Sequence, residues 1–414
     1  MNQVDAVEHL RQHLLDLIRP IVTGRVVILA GITANNDSIA EFFRLAGATD
    51  VISLELLPTV DTPIHLLFSR TETLFKNPPA SVESFLSTID RKVRAVVYAG
   101  SFCSQSSLCG RKIIGARKAA HSQAERKDRQ LEYGLVDQAA NMPRILDFGD
   151  EKAAWEIIDK EARDSPIVVS GIPDKYLAMG SSHTYLVYRE PGDQPDRNIL
   201  HVIGVIARDC RKGLISRLDR GTPCTFYGYV SRNWFIEFGA FEGLVFWNRK
   251  TLQLSAPGII RPIYLEAAQH RIATEAIQNA TRRLYDGTHY TGAFCTDGIM
   301  QSHRYLIHEI NPRVCAGFSL LGELCHGRLP LTLIDLALRE RPIEADVLLR
   351  EPLKNVAPFL RTQGPLIKLW DTRLAPVQED LRARATETAD VTGWISQVRR
   401  VLASDHLIPV VDHE

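Results

Sequence analysis

Long hydrophobic runs, an excess of charge of either sign, and ordered cysteine spacings are all missing from this chain. The longest clean apolar stretch lies around Val26 to Ile32, too short to span a bilayer, so no membrane partner is expected. The opening MNQVDAVEHL carries acids early and no apolar core segment, so no secretory leader is expected there. Lys+Arg and Asp+Glu both number 49, and zero net charge gives no electrostatic reason for a nucleic-acid or anionic-membrane partner. It leaves a local basic pocket open. The seven cysteines are odd in number and scattered, which suggests reduced thiols in a cytoplasm, not a disulfide framework. Neither Cys103 with Cys109 nor Cys315 with Cys325 and His326 has a zinc-site spacing. No internal repeat or low-complexity segment occurs. A GxGxxG fingerprint is missing too, for the first strand is followed by the single Gly31. A dinucleotide-binding oxidoreductase, with Glu55 ending the second strand, therefore rests on little, and a structural α/β domain reads better.

What is present suits a globular protein of more than one unit. The 414 residues exceed one core and suggest two or three packed units. Hydrophobic residues at 45% and charged residues at 24% fall in the ordinary soluble range. Val4, Val7, Leu10, Leu14, Leu15 and Ile18 recur at helical spacing. GRVVILAGI, VISLELL and RAVVYAG then read as strands around the helix IAEFFRLAG, a β-α-β pattern of a doubly wound layer. The Lys- and Arg-rich stretch 111–129 is expected to be helical. From Asn198 to Pro262 the pattern reads mostly as strand, NILHVIGVI included. Residues 264–285 return to helix, ended by Asp286-Gly287. The chain after Arg350 reads as a small appended unit with a helix in VTGWISQVRRVLA and a last strand in LIPVV. The class is α/β followed by α+β, divided into 1–115, 116–345 and 346–414.

The chemistry concentrates between Gly292 and Arg313. GAFCTDGIM and YLIHEINPR read as two strands joined at the polar MQSHR. Centring the turn on His303 sets Asp297 directly opposite Glu309. Alternation then puts Glu309 and Asn311 on one face, with His308 and Ile310 on the other. Two carboxylates directly opposite each other repel. A hard cation such as Mg²⁺ is one reason for the arrangement, and a solvated polar hairpin face is the other. Arg313 stands two residues past Asn311, placed to clamp a phosphoryl group or carboxylate.

HEINPR, residues 308–313, resembles the signature of the ATP-grasp ligases, in which Glu and Asn two apart bind the magnesium of Mg-ATP. Asp297, twelve before Glu309, stands where the family has its further acid. The helix PIYLEAAQHRIATEAIQNATRRL resembles the one preceding the metal strands in D-alanine–D-alanine ligases. The likeness spans roughly 115–340 and is most specific at 260–325. It implies an ATP-grasp domain behind a pre-ATP-grasp domain, similar in layout to peptide ligases of bacterial natural-product pathways such as the pheganomycin type.

The resemblance implies Asp297, Glu309 and Asn311 as metal ligands and Arg313 at the reacting phosphoryl group. Arg261 in GIIRP stands where the family often has a basic residue facing the phosphates. Met179–Thr184, with Gly180, Ser181, Ser182, His183 and Thr184, resembles the loop over the ATP phosphates; an ordinary hairpin turn is the other reading. Lys127, with Lys118 second, is implied as one phosphate lysine. The other departs from the family: Ser170 stands where lysine is expected, and Lys175 is five residues later. The implied activity joins a small-molecule carboxylic acid to an amine through an acyl phosphate, with ATP and Mg²⁺, releasing ADP and phosphate. A homodimer is implied by family habit. Core packing is expected for Cys315. Two alternatives stay open: a ligase acting on a thiol or carrier-bound substrate, and a non-catalytic nucleotide sensor.

Overall fold

The computed structural model describes every residue except 1, 31–35, 55–72, 90–93, 101–102, 137–142, 173–182, 189–194, 262–264, 326–328, 363–364, 371–373, 388–390, 404–406 and 411–414. The chain is a mixed α/β protein with three principal sheets. The first contains β1 (Val26–Ala30), β2 (Asp50–Leu54), β3 (Ala95–Tyr98), β4 (Ser107–Leu108) and β5 (Arg111–Ile114), in the order β2-β1-β3-β5-β4. β1 lies between β2 and β3, parallel to both, as expected for a doubly wound layer. The helix Gln3–Val22 buries Leu10, Leu14 and Ile18, the stripe visible in the sequence.

Residues 111–129 do not form one helix. Arg111–Ile114 pairs with β3 as a strand, and only the short helices Ala119–Gln123 and Lys127–Glu132 follow. The Lys- and Arg-rich composition fits a helix, but the apolar end of RKII is drawn into the parallel sheet, where Ile113 and Ile114 are buried.

The second sheet is antiparallel, ordered β6-β9-β7-β8, from β6 (Arg144–Asp147), β7 (Ile167–Ile172), β8 (Thr184–Val187) and β9 (Lys212–Arg217). NILHVIGVI is not a strand. It belongs to the helix Pro195–Ile206, packed with the helix Glu151–Asp164 in one core. Ile199, Val202, Ile203 and Ile206 are buried while Leu200 is 53% exposed. That spacing is helical, whereas a strand would have alternated; a continuous apolar run does not distinguish the two by composition.

The third sheet positions the site. It contains β10 (Thr222–Val230), β11 (Phe235–Asn248), β12 (Leu254–Arg261), β13 (Gly292–Met300), β14 (Tyr305–Asn311), β15 (Leu366–Leu369) and β16 (Leu407–Pro409). The order is β14-β13-β10-β11-β12-β15, with β16 also on β11. The chain after Arg350 thus adds two strands to this sheet, and the helix Arg350–Thr362 packs beside Gln3–Val22. The helix Ala267–Thr288 covers one face through Ala273, Ile277, Ala280 and Leu284. It runs past Gly287 and stops at His289, which takes the left-handed conformation at φ 53°. The other face shares a core with the first sheet's helices and with Gly317–Leu324, Thr332–Glu340 and Arg350–Thr362. No described helix is long and apolar enough to cross a membrane.

Candidate functional site

Residues directly opposite each other in an antiparallel sheet share a face. Glu309 lies opposite Asp297, Asp297 opposite Thr225, and Thr225 opposite Phe241. β11 and β12 pair Glu242 with Ile260, so one further step brings Arg261 beside Phe241. The Arg261 guanidinium stands 5.4 Å from the Phe241 ring centroid. A single row therefore crosses four neighbouring strands and the β14 edge: Glu309, Asp297, Thr225, Phe241, Arg261.

The expected pairing of Asp297 with Glu309 is present, but the hairpin reaches it by an irregular route. Near the turn, Met300 pairs with Tyr305 and Gly298 with Ile307. Continued unbroken, that register would set Asp297 against His308. A bulge between Asp297 and Gly298 shifts the pairing by one residue and brings Glu309 opposite instead. His308, the extra residue, places Nε2 2.7 Å from Asp219 Oδ2.

Asp297 is held from two sides. Thr225 Oγ1 donates to its Oδ1 at 2.7 Å, and Asn311 Nδ2 donates to its Oδ2 at 3.0 Å. Arg313 Nη2 donates to Asn311 Oδ1 at 3.2 Å. Arg313 Nε lies 2.6 Å from Glu125 Oε1 as an ion pair, and Arg117 Nη1 donates to Glu125 Oε2 at 3.1 Å. Burial raises the pKa of Asp297, opposed by its hydrogen bonds and by Arg313 and His308. Burial also raises that of Glu309; Lys127 opposes the shift and the Asp297 charge adds to it. Burial pulls the Arg313 guanidinium down, but Cys315, Glu125, Cys295 and Glu309 together hold it above its usual value. Two acids that resist ionisation, backed by a strongly cationic arginine, make a site that gains from a positive ligand.

Of the residues the sequence singled out, Asp297, Glu309, Asn311 and Arg313 come together. Lys127, in the first turn of Lys127–Glu132, is close enough for its charge to act on Glu309. Lys118 is exposed. Lys175, Gly180, Ser181 and Ser182 lie outside the described residues. His183 and Thr184 stand at the start of β8, where His183 Nε2 is 3.8 Å from Asp209 Oδ2. Ser170, at the position expected for lysine, is buried and donates to Thr184 Oγ1 at 3.3 Å. Arg261 is 2% exposed, and burial lowers its pKa to about 10 against the opposing charge of Glu237. Cys315 is buried with its Sγ 3.1 Å from Cys295 Sγ. Among the described residues, no three His, Cys, Asp or Glu side chains form a metal-holding group; the converging set here is two acids and an amide.

Sequence reasoning missed Thr225, Glu125 and Gln130. β14 ends the sheet, and its free edge is covered by the fully buried Gln130. The Gln130 amide donates Nε2 to Ile310 O at 2.8 Å and accepts from Ile310 N at 2.9 Å. It thereby fixes the residue between Glu309 and Asn311, as a paired strand would. The sequence signal was slight: Glu125 and Gln130 flank Lys127 in ERKDRQLEYGL, but nothing local shows what they touch.

No protein-family model matches the chain, and no curated protein matches it. Solved structures with similar arrangements include D-alanine–D-alanine ligase from Bacillus anthracis, 13% identical over 77% of this chain and 99% of that one, at a TM-score of 0.45. Another is carboxyaminoimidazole ribonucleotide synthase from Aspergillus clavatus complexed with ATP, 12% identical over 84% and 81%, at 0.48. A third is L-amino acid ligase from Bacillus licheniformis, 10% identical over 77% and 75%, at 0.48. Likeness at this level is too distant to bear on what this chain does, and the function below rests on the site itself.

Proposed function

We propose that the chain is an ATP-dependent carboxylate–amine ligase with an ATP-grasp fold. The observation that carries this reading is the half-buried pair Asp297 and Glu309, directly opposite on one sheet face with Asn311 and Arg313 beside them. Like charges so placed destabilise a sheet, and a divalent cation between them would relieve the repulsion. A substrate carboxylate oxygen attacks the γ-phosphorus of ATP, the bridging bond to the β-phosphate breaks, and ADP leaves. An amine nitrogen then attacks the acyl carbon, phosphate leaves, the nitrogen gives up a proton, and an amide remains. Such chemistry needs positioning and charge neutralisation, not an enzyme nucleophile.

The residues present fit magnesium. Two carboxylates and an amide oxygen are hard oxygen donors on one sheet face, and burial raises the pKa of both acids. Asp297, Glu309 and Asn311 would hold the ion, which when bound neutralises charge on the transferred phosphoryl oxygens. Arg313 orients the phosphoryl oxygens from beside Asn311. Lys127 takes the phosphates from the β14 side, and Lys175 and Gly180–Thr184 are assigned to the same phosphates. Arg261 supplies a second guanidinium on the same face. We assign the acid and amine to small molecules such as amino acids or peptides, the setting to natural-product biosynthesis in the cytoplasm, and the assembly to a homodimer.

ADP release should be measured with Mg-ATP over a panel of carboxylic acids, with and without amines, for wild type and Glu309→Ala. Acid-dependent ADP formation abolished by the substitution is the expected outcome. Failure to bind ATP at all would sink the assignment. A second reading, a nucleotide-binding sensor, is favoured by Ser170, whose hydroxyl bonds Thr184 where a phosphate lysine is expected. Mg-ATP binding with no turnover on any pair would support it.

A further inference from the structure

Arg261 is buried to 2% exposure at the C-terminal end of β12. Its Nη1 and Nη2 are closed to solvent and have no hydrogen-bond partner among the described residues. The other buried arginines among the described residues, at 4% and 9% exposure, are ion-paired: Arg117 with Glu125, and Arg399 with Glu242. Glu237, the acid whose charge acts on it, is engaged elsewhere. Its Oε1 lies 2.7 Å from Arg361 Nη2, and its Oε2 accepts from Gly239 N at 2.5 Å. The Phe241 ring offers Arg261 only its π face. Buried guanidinium donors left unmade are costly, so this group is set for an anion brought by a ligand. Its planar fork matches a carboxylate or a pair of phosphate oxygens.

The row across the sheet separates the two. Lys127 and Arg313 act at the β14 end, on Glu309 and Asn311. Arg261 lies three strands from Asp297, roughly 14 Å between backbones at about 4.8 Å per strand. Its guanidinium stands over the Phe241 ring, and Phe241 and Thr225 are the residues of the row between Arg261 and Asp297. Phosphates gathered at the β14 end are remote from it, whereas the far end of a short acid being phosphorylated there is not.

We propose that Arg261 holds a second, non-reacting carboxylate of the donor acid, and that this protein therefore takes a dicarboxylic acid of about four to six carbons. That the site is for an anion needs only the geometry; that the anion belongs to the donor acid rests on the ligase reading above. The reacting carboxylate lies at Asp297, the chain passes over Phe241, and the second carboxylate takes both Nη atoms of Arg261.

The test uses the full chain and matched probes: succinate, glutarate, adipate, L-aspartate and L-glutamate, each against its ω-amide. Binding is followed by calorimetry in the presence of Mg-ADP, and ADP release in parallel with Mg-ATP. At least one dicarboxylate is expected to bind about tenfold or more tightly than its amide, a gap of about 1.4 kcal/mol per decade. Arg261→Met should erase the difference, and Arg261→Lys, which keeps charge but not the fork, should restore part of it. If no pair separates in wild type, or the preference survives Arg261→Met, the proposal is overturned. If Arg261→Met instead raises the KM for ATP and leaves the acids alone, the occupant is a phosphate and the proposal is again wrong. A dicarboxylate preference lost in Arg261→Met, with no ADP released from any acid, would sink the ligase reading and keep the subsite.

Discussion

Replacing Glu309 with glutamine should make the ligand-free protein more stable, although it removes a residue central to the proposed chemistry. Residues directly opposite on antiparallel strands have Cβ atoms about 5 Å apart, and Asp297 and Glu309 are so paired. Two unit charges at about that distance repel by roughly 3 kcal/mol at an effective dielectric of about 20. Lys127 and Arg313 offset part of this, and both acids are only half-buried, so a gain of about 1–2 kcal/mol is expected for Glu309→Gln near neutral pH. The sign with pH follows from linkage. Both acids have pKa values raised by burial, so the folded state binds protons more tightly than the unfolded chain. Stability from that source is fully present below the unfolded carboxylate range and is lost as pH rises through the folded values. The advantage of Glu309→Gln should therefore be largest at pH 7–8 and shrink toward about pH 4.

Urea midpoints for wild type and Glu309→Gln at both ends of that range measure the effect. Adding Mg-ATP supplies the complementary half. A ligand at one hundred times its dissociation constant stabilises the folded state by about 2.7 kcal/mol. Wild type should gain this and the variant little of it, so the order of stability reverses. A less stable ligand-free Glu309→Gln at pH 7.5 would refute the reasoning. It would mean that Glu309 is held by net attraction from Lys127 and Arg313, and that the acid pair has no unmet need for a cation.

Two further perturbations test how the strands carry the site. Gln130→Ala removes both hydrogen bonds to Ile310 and leaves a buried N–H and C=O unpaired; a loss of about 2–4 kcal/mol is expected, with faster amide exchange at Ile310 as the direct readout. Gly298→Ala would put a methyl 2.2 Å from Leu306 O beside the bulge; a destabilisation of about 2–3 kcal/mol or more is expected, read as a lowered melting temperature, and an unchanged one would mean that the strands are not packed this closely.

How far the sequence reaches can be judged residue by residue. β1 to β3 and the helix at 267–288 were legible because period and β-branched content are local properties. NILHVIGVI was not, because an unbroken apolar run fits either a strand or a helix, and only the burial of Ile199, Val202, Ile203 and Ile206 decides. Gln130 was invisible because its partner, the backbone of Ile310, is 180 residues away and leaves no mark on side-chain pattern. The neighbourhood of Arg261 and Phe241 needs the strand order, which no local spacing encodes.

The acid pair falls between these cases. A regular hairpin with its turn at 301–304 would have faced Asp297 with His308, an attractive pair with no call for a cation. The one-residue bulge exchanges it for a repulsive pair, and Thr225, Asn311 and Gln130 are spent on holding that pair in place. A sheet stabilised for its own sake has no reason to do this. The irregular register, more than the presence of any one acid, is what marks this face as built for a ligand.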